Sequence, residues 1–207
     1  MKNKCFLNYC GIFSVLAFIS YLIAVIFSPM AYPGYNTMKQ AVSDLSAINA
    51  PSRELWLRLS AVYNVCSVLG CMMVVLGIKN EKSKLLRLGV YLFFIMEFIS
   101  AIGYQMFPLS ASGLLNTFSD VMHIIITAFV VLLSILSLVL IIIAGFKNKN
   151  YLSYSIAGII ALLMMLIGAL GTNIVPKDYF GIVERFSVFA AVGFNAFLGI
   201  KLFFMKI

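Results

Sequence analysis

Residues 120–145 read DVMHIIITAFVVLLSILSLVLIIIAG, and after His123 no ionisable side chain follows until Lys147. A helix needs about 20 apolar residues to cross the roughly 30 Å hydrocarbon core of a bilayer, and this run is long enough. A soluble helix of that length would carry a polar face, whereas Thr127, Ser134 and Ser137 are the only polar residues between His123 and Gly145. The stretch therefore predicts a transmembrane helix. Further apolar stretches at 8–29, 55–78, 85–107, 151–174 and 182–204 bring the number of spans to six.

Composition agrees with that reading. The chain is 63% hydrophobic and 11% charged over 207 residues, with a mean hydropathy of +1.06, so its apolar surface must face lipid and little length remains for a soluble domain. The expected fold is all-α: a polytopic membrane protein whose six transmembrane helices form one antiparallel bundle, a single domain over 1–207. The run after Met1–Lys4 is too long for a signal-peptide core and lacks a small-x-small cleavage site, so it is expected to remain as the first span.

Net charge is +8, yet the basic residues sit in short clusters between apolar runs, which argues for topology signals and against nucleic-acid binding. Lys2, Lys4, Lys79, Lys82, Lys84, Arg87, Lys147, Lys149, Lys201 and Lys206 fall on one side of a six-span arrangement. That side is expected to be cytoplasmic, placing both termini inside the cell membrane. Asp44, Glu54, Glu97, Asp120, Asp178 and Glu184 lie toward the other side, and of the acids only Glu81 is in a cytoplasmic connection. Cys5, Cys10, Cys66 and Cys71 form no CxxC pair and read as small apolar fillers.

The first outer loop begins with Tyr32-Pro33-Gly34-Tyr35-Asn36, a turn signal. Met38, Ala41, Val42 and Leu45 then fall at helical spacing, predicting a short amphipathic helix over 38–48 at the membrane surface.

An ionisable group inside a membrane costs about 3 kcal/mol unless it is paired or wet, so each one is a candidate for function. Glu97 lies roughly 15 Å from the outer end of its helix at about 1.5 Å per residue, near mid-membrane. Asp120, His123 and Thr127 share one helical face. The Asp-x-x-His spacing suits an acid–base pair, or equally a helix cap with a packed histidine, and it lacks the second histidine of the common zinc helices, so no metal is expected. Asn64 shares a stripe with Ser60, Ser67 and Cys71 that suits interhelical hydrogen bonding. Glu184 and Arg185 open the sixth span and point about 100° apart, so they serve different partners, with phosphate, Asp44 or Glu97 as choices for Arg185. Ala191, Asn195 and Gly199 form a small-residue ridge suited to a helix partner or a second copy of the chain.

Tyr32-Pro-Gly-Tyr35 followed by Ser43-Asp44-Leu45, Gly103 with Phe107-Pro108, His123, and Gly181-x-x-Glu184-Arg185 occur in this order at outer helix ends. In this the chain resembles, over nearly its whole length, the bacterial and archaeal membrane family known as domain of unknown function 998. The resemblance implies six helices and no settled activity. The stretch Leu109-Ser-Ala-Ser-Gly113 departs from it by lacking an acidic residue, which weakens a metal-site reading.

The leading expectation is that Ser43, Asp44, Glu97, Asp120, His123, Glu184 and Arg185 gather in a polar pocket in the outer half of the bundle, binding a membrane lipid or other amphiphile. An enzyme reading makes the same group a hydrolase or transferase site, with His123 as base, Asp120 or Glu97 orienting it and Ser43 as nucleophile. A third reading is a packing subunit with no pocket. Paired broken helices, a repeat between halves and a second haem-ligating histidine are missing, so transport and electron transfer are disfavoured and no cofactor is expected.

Overall fold

The computed structural model describes residues 5–110 and 117–205. Lys2, Lys4, Lys206, and Ala111 to Gly113 of the departing stretch lie outside the described residues. Among the described residues there are eight α-helices: α1 (Phe6–Tyr9), α2 (Ile12–Phe27), α3 (Arg53–Leu59), α4 (Ala61–Ile78), α5 (Lys84–Met106), α6 (Phe118–Lys147), α7 (Leu152–Gly171) and α8 (Phe180–Phe204). There is no strand among the described residues. Six helical segments are long and apolar enough to span a membrane: Phe6–Ala31, Ala61–Ile78, Lys84–Met106, Phe118–Lys147, Lys149–Gly171 and Lys177–Phe204.

The burial pattern is that of a membrane bundle. On α6 the large side chains Val121, Ile125, Phe129, Leu132 and Leu136 are exposed, while Asp120, His123, Ser134 and Ser137 are buried. Polar groups thus face inward and apolar ones outward, the inverse of a soluble helix and the arrangement that lipid demands. The spans form a closed ring in which α2, α4, α5, α6, α7 and α8 each pack on the next, and α8 also reaches α2 and α4. Phe93 of α5 and Phe194 of α8 meet edge to face at 5.3 Å across the interior.

One face of the ring carries the first loop and the α5–α6 and α7–α8 connections; the other carries both ends of the described chain. At this second face the Asn8 amide donates to the carbonyls of Leu202 and Met205, each at 2.8 Å, closing the free carbonyl end of α8 onto the first span. The ridge at Ala191, Asn195 and Gly199 turns inward. Gly199 packs on Gly11 and Ser14, and Asn195 accepts from the Ser14 hydroxyl at 3.0 Å and donates to the Ser67 carbonyl at 3.1 Å. Gly199 and Asn195 thus meet the chain's own first span, and Asn195 also reaches α4.

The first loop differs from the helix expected over 38–48. Only Ser43–Ser46 forms a helical turn, of the 3-10 type. The amide of Asn36 binds the Gln40 side chain at 2.8 Å, and the Asn36 side chain accepts from Met38 N at 2.9 Å. Such local side-chain bonds compete with a helical ladder and turn the chain instead. Gly34, at φ +79°, makes the preceding turn. Val42 and Leu45 consequently point into the bundle, packing with Tyr21, Trp56 and Val192.

Candidate functional site

The first two free N–H groups of α8 lie against the first loop. Gly181 N and Ile182 N donate to the Met38 carbonyl at 2.8 and 3.2 Å. A side chain at position 181 would run into the carbonyls of Thr37 and Gln40, so only glycine admits the loop this closely. One turn on, the Arg185 guanidinium gathers those same carbonyls. Its Nη1 donates to Thr37 O (2.8 Å), Gln40 O (3.0 Å) and Gly181 O (2.6 Å), and its Nη2 to the Tyr35 hydroxyl (2.7 Å). Tyr35 passes the bond on to the Ala41 carbonyl at 2.7 Å. Burial pushes the Tyr35 phenol up to about 12, so it remains a donor at physiological pH.

Glu184 faces the same loop with the opposite polarity. Its Oε2 accepts from Val42 N at 3.2 Å, while Asp44 Oδ2 accepts from Ala41 N at 3.0 Å. Loop carbonyls thus meet the guanidinium and loop amides meet carboxylates. Arg185 and Glu184 serve different partners, as their 100° separation requires, and the contacts Arg185 makes within the chain are to backbone oxygens and the Tyr35 hydroxyl rather than to Asp44 or Glu97.

Asp120 caps α6. It accepts from Ser110 N (2.7 Å), Ser110 Oγ (2.6 Å), Thr117 N (3.0 Å) and Thr117 Oγ1 (2.8 Å), while Thr117 Oγ1 accepts from Asp120 N at 3.2 Å. This reciprocal Thr-x-x-Asp arrangement joins the ends of α5 and α6. His123 Nδ1 lies 2.9 Å from the Phe107 carbonyl, which can only accept, so the neutral ring carries its proton on Nδ1 and its lone pair on Nε2. The ring lies 4.7 Å from that of Tyr104, whose hydroxyl donates to Thr127 at 3.1 Å. Asp44 is near enough to act electrostatically on both His123 and Glu184.

The candidate residues therefore fall at two depths. Asp44, His123, Glu184 and Arg185 lie in one layer beneath the first loop, with Asp120 at its rim. Glu97, 3% exposed, lies deeper against Ser67 and Asn195. Tyr63 joins the layers, acting on Glu97 on one side and on Tyr21 and Tyr104 on the other. Ser43 contributes its carbonyl to Ser46 Oγ at 3.0 Å, and no described contact brings its hydroxyl to His123. Among the described residues no group of three or more His, Cys, Asp or Glu is arranged to hold a metal ion.

The family model described as protein of unknown function, DUF998, matches residues 15–201. The chain belongs to the DUF998 family. No curated protein and no solved structure matches it. Within this DUF998 chain, the motif positions quoted from the sequence all meet at the loop-bearing face. Tyr35 and Arg185 bond each other, Gly181 admits the loop, Phe107 binds His123, and Gly103 packs on Ile126.

The lateral surface of this DUF998 protein carries two apolar grooves. One, of about 460 Å³, runs between α4 and α5 along Val65, Val68, Phe98 and Ile102, with Asn64 and Gln105 toward its loop-face end. The other, of about 340 Å³, lies among α2, α7 and α8 beside Phe18, Ile160, Phe189 and Gly193. None of the seven candidate residues lines either groove. The polar stripe read on α4 divides accordingly. Ser60, Ser67 and Cys71 are buried, whereas Asn64 is half-buried and faces the groove. The roles of Tyr35, Tyr63, Tyr104 and Gln105 were not visible beforehand, because aromatic and amide residues near helix ends are common at a membrane interface whatever they do. Thr117-x-x-Asp120, by contrast, is a cap signature in plain sequence.

Proposed function

We propose that this integral membrane protein binds a membrane amphiphile in the groove between α4 and α5, with both termini in the cytoplasm and the first loop outside the cell membrane. The observation that carries the reading is the uneven polarity of that groove: its walls are apolar over most of their length, and two carboxamides, Asn64 and Gln105, stand toward the loop-face end. An acyl or isoprenoid chain would lie along Val65, Leu69, Phe98 and Ile102, open to the lipid from which it comes. Its head group would accept from the amide nitrogens, as an interfacial ester, phosphate or hydroxyl oxygen can, and a hydroxyl would also donate to the amide oxygens. The layer formed by Asp44, Glu184 and Arg185 then has a supporting role, fixing the loop above the ends of α4 and α5.

Native mass spectrometry of the protein released from lipid nanodiscs tests this. Replacing both amides in Asn64→Leu/Gln105→Leu removes hydrogen bonds of about 1 kcal/mol each, so retained lipid should fall about tenfold or more. Filling the groove with Ala101→Trp should abolish retention without loss of helix content, since position 101 faces the groove and not the core. Equal lipid retention in wild type and Ala101→Trp would overturn the reading.

A further inference from the structure

Glu97 sits in a part of the bundle that the groove does not use. It is 3% exposed on α5, and its helix position places it roughly 15 Å below the loop face at about 1.5 Å per residue. Among the described residues the ion pairs are Lys39–Asp178 and Arg58–Glu54, both at the exposed surface, so no basic side chain neutralises Glu97. Polar side chains from α4 and α8 do gather at it. Ser67 and Asn195 lie against the carboxylate, Tyr63 approaches from α4, and Ser14 of α2 stands behind Asn195. Ser67 is 1% exposed, and its hydroxyl has no partner among the described residues other than the Glu97 carboxylate.

We infer that Glu97, Ser67 and Asn195 form an intramembrane binding site for one small monovalent cation, a proton or a sodium ion. The chemistry is shared by both. An intramembrane carboxylate with neutral oxygen neighbours and no basic partner requires a positive charge from outside the chain. Ser67 supplies an oxygen not otherwise engaged, and Asn195 is held in place by Ser14 and by the Ser67 carbonyl. The groups that titrate around Glu97 are Tyr63 and Cys71 of α4, while α8 brings only the neutral Asn195. From α6, Asp120 and His123 lie at the loop face with Asp44, Glu184 and Arg185, in the layer above. The inference is independent of the amphiphile reading, since Glu97 lines neither groove.

Binding to the folded state alone raises stability with ligand concentration. The test follows thermal unfolding by circular dichroism of the full chain in nanodiscs, comparing sodium with choline chloride at equal ionic strength over a range of pH. The wild-type midpoint should rise with sodium at fixed pH, which assigns sodium, or fall as the pH rises regardless of sodium, which assigns the proton. Glu97→Gln should erase that dependence while Tyr63 and Cys71 remain in place. Ser67→Ala should weaken it and leave the fold intact. Should Glu97→Gln fail to fold, Ser67→Ala decides. A wild-type midpoint indifferent to both ions, or a dependence that either variant leaves unchanged, would overturn the site.

Discussion

Each guanidinium bond that Arg185 makes ends on the first loop or on its own helix, so this side chain converts the first loop into part of the bundle. Its neighbour Gly181 does the same by having no side chain. Arg185→Ala leaves three carbonyls and a half-buried phenol without their shared donor, which should cost about 3 kcal/mol. Lysine at this position cannot restore the fork, because a single ammonium does not span Tyr35 and the Thr37 and Gln40 carbonyls together. The chain's one tryptophan reports the result. Trp56 packs edge to face on Tyr21 at 5.6 Å, beside Val42 and Leu45 of the loop. Its emission should shift to the red in Arg185→Ala, Arg185→Lys and Gly181→Ala; an unchanged spectrum would mean that the loop is held by other means. At this scale the sequence showed which residues were unusual and not what they touch. All but one of the partners of Arg185 are backbone oxygens, which every residue has.

At the scale of elements, α8 organises the bundle. It receives the first loop at its start, stacks Gly199 on Gly11 and Ser14, and has its far end capped by Asn8. Gly199→Leu would push α8 away from the first span at a point where backbone meets backbone, and overpacking of this kind costs about 1–3 kcal/mol. The expected outcome is a lower unfolding midpoint, with lipid retention in the α4–α5 groove unaffected because that groove is built from other helices. The ridge at Ala191, Asn195 and Gly199 could be read from its four-residue spacing, since small residues at that interval let helices approach. Its partner could not, because any of five other spans would fit such a ridge equally well. The helix expected over 38–48 failed for a local reason. Apolar spacing suggested it, but Asn36 and Gln40 bind nearby backbone and divert the chain.

Over the whole molecule, hydropathy determined the architecture, because spans must be about 20 residues long and must satisfy their own backbone bonds. Each of the six apolar stretches contains a helix long enough to span, but the second span begins at Ala61 and not at 55, because Arg53–Leu59 forms a separate short helix before it. Orientation rests on the basic residues at the face opposite the first loop. In a cysteine-free background, Lys39→Cys should react with a membrane-impermeant maleimide on intact cells, and Lys82→Cys only after the membrane is opened. The reverse pattern would invert the topology. Hydropathy says nothing about what lies inside, and the division of the polar residues between a layer under the loop and the deeper Glu97 emerges only from packing.

The account depends most on the first loop being docked on the start of α8. Lys39 and Asp178 mark that junction, bonded at 2.8 Å across it and both exposed. Cross-linking of the cysteine pair Lys39→Cys/Asp178→Cys by a short bifunctional thiol reagent, in membranes and without native cysteines, measures the docking directly. Rapid cross-linking within one chain that is lost on adding Arg185→Ala is the predicted result; absence of the cross-link in folded, membrane-inserted protein would contradict it.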